Sequence, residues 1–269
     1  MSRGALTVVG TGIQVVAQTS LEATTCIERA DKVYFVSADA LTEYWIRQVN
    51  VSAESLNGLY EPGKNRMTTY EQIIERVVGA VDSGLNVCFV GYGHPGVFAH
   101  ATHESIRRVR RTGCEAQMLP GISADACLFA DLGIDPGVSG CQSFEATDFL
   151  VYHRRFDPHC ALLLWQIGVI GEFGHRDDSK IWNRAGLGVL AGVLIEDYSD
   201  DHTVTVYEAA RYPCCSPSVL NVRLADLSEA PISSIATLYV PPIGRAEPDL
   251  TMLERLVASS ATRTSSNTR

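Results

Sequence analysis

The chain has 269 residues, of which 46% are hydrophobic, and a formal net charge of -9. That is enough apolar material for one large domain or two ordinary ones, and the acidic balance argues against nucleic acid as a main partner. No apolar run approaches the length of a membrane span, and Met1-Ser2-Arg3 leads into a strand pattern rather than a signal peptide, so a cytoplasmic protein is expected.

Ala5 to Val9 reads as a short buried strand that turns out through Gly10-Thr11-Gly12. A dinucleotide fingerprint would want a third glycine at position 15, where this chain has Val15, and no P-loop pattern occurs. What remains is a tight turn that brings backbone close to a ligand. Thr19 and Glu22 have capping-box spacing for a helix through Ala30; Lys32 to Val36 is a β-rich run and Leu41 to Val49 a helical one. This alternation predicts a mostly parallel sheet with crossover helices.

The segment Leu59-Tyr60-Glu61-Pro62-Gly63-Lys64-Asn65-Arg66-Met67-Thr68-Thr69-Tyr70 gathers two phenols and a guanidinium ahead of a helix. Tyr70, Ile73, Ile74, Val77, Val78 and Val81 recur at the spacing of one buried helical face, Thr68 with Glu71 has capping-box spacing, and Gly84 is a stop. Arg66 then sits just before the helix and Tyr70 in its first turn, so both can face one point. From spacing alone the commoner reading is Tyr70 as the first residue of a core stripe and Arg66 as a solvated surface charge, since apolar stripes are usually core.

Asn86 to Val90 is a strand that delivers Tyr92 to its carboxyl end, followed by Gly93-His94-Pro95-Gly96 and a helix from Val97 to about Arg111. The basic run Arg107 to Arg111 reads as a solvated face of that helix. Glu115 to Leu119 gives another strand, ending in Pro120-Gly121-Ile122-Ser123-Ala124-Asp125, a turn that presents Ser123 and free backbone N–H groups at a helix start. Ligands of open α/β sheets sit at such carboxyl ends.

Beyond a boundary near residues 118 to 122 the pattern changes. Residues 135–140 read as a connector, the runs Ala161 to Gln166, Thr203 to Glu208 and Ile235 to Val240 are β-rich, and Ala185 to Glu196 is helical. The expected architecture is α/β in two domains, residues 1–119 with a mostly parallel sheet and 120–245 with a mixed one, and a ligand in the cleft between them. Residues 246–269 form a helix and a disordered tail, since nothing after Val257 can pack. The eight cysteines form no C-x-x-C pair and mostly fall in apolar runs, which disfavours structural zinc and a disulfide framework. His100 and His103 have ligand spacing but no matching second pair, so no metal is expected.

Val9-Gly10-Thr11-Gly12-Ile13, Tyr92-Gly93-His94-Pro95-Gly96-Val97-Phe98 and Leu119-Pro120-Gly121-Ile122-Ser123-Ala124-Asp125, in that order, resemble the tetrapyrrole methylase superfamily. Gly63-Lys64-Asn65-Arg66-Met67 with Thr69-Tyr70, Cys127-Leu128-Phe129-Ala130-Asp131-Leu132, Phe144-Glu145-Ala146 and Tyr239-Val240-Pro241-Pro242 resemble, more narrowly, the borosin peptide backbone α-N-methyltransferases. The resemblance implies S-adenosylmethionine in the interdomain cleft, leaving as S-adenosylhomocysteine, and methylation of backbone amides in a peptide. Position by position it implies catalytic roles for Tyr60, Arg66 and Tyr70, and a place beside the methyl donor for Tyr92. It puts Gly10, Gly12, His94, Val97, Phe98, Ser123 and Ala124 on cofactor loops, with Gln166, Tyr207, Glu208 and Ala209 completing the pocket. Asn57 stands where some fungal members have a further tyrosine.

Those residue types suit the chemistry. An amide nitrogen is a poor nucleophile until its proton is removed; a phenolate could take that proton, and a neighbouring guanidinium favours the phenolate. Donors aimed at the amide oxygen stabilise the charge that develops there. Tyr60 is the leading base candidate, with Arg66 and Tyr70 organising it, and the two tyrosines could exchange roles. The resemblance also implies a homodimer. Fused members of that family carry their substrate as a C-terminal extension, whereas this chain stops in a serine- and threonine-rich tail, so the precursor peptide is expected in trans, giving a heterotetramer when bound; truncation of a longer protein is the competing explanation. The competing reading is methylation of a carbon on a corrin or porphyrin precursor.

Overall fold

The computed structural model describes residues 4–172 and 183–264; Met1-Ser2-Arg3 and positions 265–269 of the expected tail lie outside the described residues. The first half runs β1 (Ala5–Gly10), α1 (Leu21–Arg29), β2 (Lys32–Phe35), α2 (Ala40–Val49), β3 (Glu54–Ser55), α3 (Arg66–Asp82), β4 (Asn86–Gly91), α4 (His100–Arg111) and β5 (Glu115–Met118). Its five strands form one parallel sheet in the order β3-β2-β4-β1-β5, as the alternation predicts.

Alternating side chains of these strands feed two cores, as the period of two dictates. Leu6, Val8, Val87 and Phe89 join Ile73, Ile74, Val77 and Val81 of α3 and Ile106 and Val109 of α4. Val9, Cys88 and Val90 join Ala23 and Ile27 of α1 and Ile46 of α2 on the opposite face. Each fully buried aliphatic side chain contributes about 1.5–3 kcal/mol. The Cys88 thiol, pushed well up by burial, is one of these packing groups.

Local chemistry moves several boundaries. Helix α1 is capped by Ser20, whose side chain accepts from Ala23 N at 3.0 Å, while Thr19 donates instead to the Thr11 carbonyl at 2.9 Å. Helix α3 starts a turn earlier than the Thr68–Glu71 spacing suggests, because Asn65 accepts from Met67 N at 2.8 Å and is the stronger cap. Arg66 is therefore the first helical residue. Glu71 is released from capping and makes a bidentate pair with Arg108, at 2.5 and 2.7 Å, that ties α3 to α4. Helix α4 begins at His100 rather than Val97, since Phe98 holds a left-handed backbone (φ 50°).

The second half comprises α5 (Ala124–Leu132), α6 (Pro136–Ser139), β6 (Cys141–Glu145), α7 (Ala146–Val151), β7 (Ala161–Trp165), α8 (Arg184–Ile195), β8 (Thr203–Glu208), β9 (Ser218–Arg223), β10 (Thr237–Val240) and α9 (Leu250–Thr264). The sheet order is β6-β7-β10-β8-β9; β6 and β7 are parallel and the other pairs antiparallel, the expected mixed sheet. Strands β6 and β9, absent from the sequence reading, are the edge strands, where half-exposed side chains blur the apolar alternation. The expected connector at 135–140 carries a short helix capped by Asp135 on Gly137 N at 2.8 Å. Helix α9 continues past Val257. Among the described residues no helix is long and apolar enough to cross a membrane, and no group of His, Cys, Asp and Glu could hold a metal ion.

Candidate active site

Parallel strands β1 and β4 end side by side, and their continuations cross. Gly12 N donates to the Gly93 carbonyl at 3.3 Å and Gly93 N to the Gly12 carbonyl at 3.0 Å. A Cβ on Gly10 would stand 2.1 Å from the Gly93 carbonyl oxygen, and one on Gly121 would stand 2.8 Å from the same atom. Three strand-end loops thus nest on one carbonyl, which only residues without a side chain permit. The Gln18 side-chain carbonyl accepts from Ile13 N and Gln14 N at 2.8 and 3.0 Å and fixes the first of these loops.

On this nest opens a cleft of about 240 Å³ between the two sheets, lined by Tyr92, His94, Val97, Phe98, Ser123, Ala124, Gln166, Tyr207, Glu208 and Ala209, together with Ile13, Gly93, Trp165, Ser234, Ile235 and Thr237. Gly10 and Gly12, expected on a cofactor loop, do not line it; they form the packed backing that holds the Gly93 turn in place. Phe98 and Gln166 both hold left-handed backbones (φ 50° and 59°), a costly conformation for non-glycine residues that concentrates at functional sites. The Phe98 ring lies 5.2 Å from that of Trp165, so the strained turn delivers an aromatic wall.

Polar groups in the cleft are fixed from behind. The Tyr207 hydroxyl donates to Asp131 at 2.6 Å. Glu208 accepts from Ser233 Oγ at 2.5 Å and faces Arg211 at 3.6 Å. His94 Nδ1 accepts from Gly96 N at 2.9 Å, which makes His94 a brace of its own loop. Ser123 precedes α5 without capping it, its hydroxyl donating instead to Asp125, whose Oδ1 also accepts from Ala126 N at 2.8 Å, so a carboxylate of the chain already serves the helix start. The Tyr92 phenol is pushed up to about 12, first by burial, with Arg211 pulling it down and Cys127, Glu208 and Asp39 adding to the rise.

A second cluster adjoins this one. The Leu59 carbonyl accepts from Lys64 Nζ at 2.9 Å and from Thr69 Oγ1 at 3.3 Å, which pins the chain beside Tyr60 to the start of α3. Lys64 also donates to Glu61 and Gln72, so it is a fastening rather than a free cation. Asn57 exchanges hydrogen bonds with Ser37 and shapes the preceding loop. The rings of Tyr60 and Tyr70 meet edge to face at 6.5 Å, and His100 lies 5.9 Å beyond Tyr70.

Tyr60 is pushed up to about 12, by burial first and by Tyr70 second, while Arg66 pulls it down. The guanidinium has the expected sign, but desolvation outweighs it. At pH 7 only about one Tyr60 in 10⁵ is a phenolate. Tyr60, Arg66 and Tyr70 do not line the cleft. They join it through the chain, because Phe98 in the cleft wall and His100 against Tyr70 are two residues apart, at most ~7 Å. Trp165, Ile235 and His100 were not singled out as site residues from the sequence; Trp165 and Ile235 sit at ends of recognised strand runs, and nothing local marks His100 as a neighbour of Tyr70.

The model of the Tetrapyrrole (Corrin/Porphyrin) Methylases matches residues 5–169. The chain is 39% identical over 258 residues to a methyltransferase/ribosomally synthesized cyclic peptide gymnopeptides precursor of Gymnopus fusipes, covering 94% of this chain and 61% of that protein. It is 42% identical over 246 residues to a methyltransferase/type I borosin cyclic peptide precursor of Coprinopsis marcescibilis, covering 89% of this chain and 62% of that protein. The chain therefore spans about three fifths of the length of these relatives. A uroporphyrin-III-C-methyltransferase from Thermus thermophilus shares the fold, with a TM-score of 0.64 at 19% identity over 89% of this chain and 92% of that one.

Proposed function

The chain belongs to the tetrapyrrole (corrin/porphyrin) methylase family, and from that premise we propose that it transfers the methyl group of S-adenosylmethionine to backbone amide nitrogens of a ribosomally made precursor peptide. The single observation that carries the reading is the juxtaposition of a glycine-nested cleft with a half-buried phenol pair under the influence of a guanidinium. The named relatives, whose titles join a methyltransferase to a cyclic peptide precursor, support it.

The cleft suits that cofactor. Phe98 and Trp165 offer aromatic faces for a flat base, and Glu208 is a fixed acceptor for hydroxyls. When bound, S-adenosylmethionine supplies an electrophilic methyl carbon on a cationic sulfur. The protein's own task is to make the amide nucleophilic. Tyr60 takes the N–H proton, and Arg66 with Tyr70 holds Tyr60 and stabilises the charge that moves onto the amide oxygen. A phenol raised to about 12 is rarely ionised, yet its phenolate is a correspondingly strong base, and a cation brought into the cleft lowers the cost of forming it. Tyr92 restricts the donor from the strand end, and exclusion of water keeps these charges interacting strongly.

The cleft opens to the surface at Phe98 and Ile235, both exposed, which supports entry of a peptide; its delivery in trans is part of the reading. The reading includes a homodimer, and a heterotetramer with precursor bound; the exposed apolar face of α9, with Leu250, Leu253, Leu256 and Val257, supports association. Methylation of a tetrapyrrole carbon is less well supported. Its carboxylate-rich substrates call for cations, and here Lys64 is fastened to its own loop while Arg211 is paired with Glu208. Incubation with S-adenosylmethionine and candidate precursor peptides, read by mass spectrometry, tests the proposal. Methyl increments on backbone nitrogens support it, whereas turnover of a tetrapyrrole and of no peptide overturns it.

A further inference from the structure

Tyr207, near the end of β8, is 1% exposed and forms part of the cleft wall. Its ring packs with Leu128, Leu163 and Trp165, so the apolar part of the side chain is fixed by contact. The hydroxyl is a different matter, because a buried phenol oxygen without a partner is costly and buried tyrosines find acceptors. Here the acceptor is Asp131, whose Oδ2 takes the hydrogen bond at 2.6 Å, the short length of a bond to a charged oxygen. Burial first, and that carboxylate next, push the phenol well above its ordinary value, so Tyr207 keeps the proton it donates.

The place of Asp131 in the fold points the same way. It is exposed and stands in the last turn of α5, where the carbonyl end of a helix disfavours a negative charge. Helix stability does not account for a carboxylate there, whereas the bond to Tyr207 does. Helix α5 brings Ala124, behind Ser123, to the cleft, and the end of β8 brings Tyr207, Glu208 and Ala209. The hydrogen bond therefore ties together the two elements that carry these residues. Asp131 also borders a second cavity of about 350 Å³ with Gln18, Cys127 and Ala209. The hydroxyl end of Tyr207 thus meets Asp131 at the edge of open space, where packing alone holds it less firmly.

We infer that Asp131 is a positioning residue for the methyl donor: through its hydrogen bond to Tyr207 it holds α5 and the end of β8 at the spacing the cofactor needs. The inference rests on the methyl-transfer reading above, in which the cleft takes S-adenosylmethionine. Asp131 does not itself line the cleft, so its loss should weaken cofactor binding without slowing the chemistry once cofactor is bound.

The test measures the affinity of the full chain for S-adenosylhomocysteine by titration calorimetry and, with peptide, the KM for cofactor and kcat. Asp131→Ala should lower the affinity roughly 10-fold, raise the KM for cofactor in step and leave kcat at saturating cofactor within about twofold. Asp131→Asn keeps an acceptor oxygen and should recover most of the loss, to within about threefold of wild type. Tyr207→Phe removes the other end of the bond, and its effect should be much smaller in the Asp131→Ala background than in wild type. A role in stability alone would leave the two losses additive. Wild-type affinity in Asp131→Ala, or additive losses in the cycle, overturns the inference while leaving methyl transfer standing. Tyr207→Phe with wild-type affinity overturns it equally, without requiring that Asp131→Ala fold. Failure of the wild type to bind S-adenosylhomocysteine overturns both readings.

Discussion

The cleft and the phenol cluster are built in opposite ways. The cleft is backbone work: loops from β1, β4 and β5 are stacked on the Gly93 carbonyl, two left-handed non-glycine residues turn its walls, and its polar side chains are held from behind. The cluster is side-chain work: one loop and one helix start, cross-linked by Lys64, Thr69 and Asn65, set two phenols and a guanidinium together. A cleft made by close backbone approach fails when volume is added. A cluster made by tuned ionisation fails when a proton site is removed or the pH is changed. Substitutions should therefore separate binding from chemistry.

The largest separation is expected from pH. If Tyr60 acts as a phenolate and is pushed up to about 12, turnover at saturating substrates should rise about tenfold per unit, ~100-fold from pH 7 to pH 9, with no plateau in that range. Cofactor affinity over the same range should change far less. A rate plateau below pH 8 would assign the base elsewhere. Next comes Gly121→Ala, whose Cβ would press on the Gly93 carbonyl from 2.8 Å. Overpacking of this kind forces backbone shifts, and the Gly93 turn it displaces lines the cleft, so titration calorimetry should show cofactor affinity reduced ~10-fold or more, while the Tyr60–Tyr70 geometry survives. The smallest effect belongs to Glu71→Gln, which removes one partner of a half-exposed pair with Arg108. Solvent screens such an exposed pair, so the midpoint of thermal unfolding should fall by only a few degrees or less.

How legible each region was follows from the same contrast. The parallel sheet was readable because β1 and β4 are continuous apolar runs bounded by glycine turns. The cleft loops were readable from Gly-Tyr-Gly-His-Pro-Gly and Pro-Gly-Ile-Ser as strand-end turns, but the two kinds of glycine were not separable: Gly93 lines the cleft, whereas Gly10 and Gly12 only back it. The start of α3 was misplaced because Asn65 and Thr68 both offer caps, and only the tertiary pair of Glu71 with Arg108 excludes the capping box. Edge strands β6 and β9 escaped because one-sided burial weakens their alternation. The net pKa of Tyr60 was out of reach in principle. The guanidinium is visible in sequence, whereas desolvation is a property of the folded surroundings.

The most direct trial of the central claim is Tyr60→Phe, with methyl transfer in a single turnover and cofactor affinity measured on the same preparation. The account predicts a rate lower by ~10²–10⁴-fold at an affinity within about twofold of wild type. A variant that methylates backbone amides at the wild-type rate would contradict it.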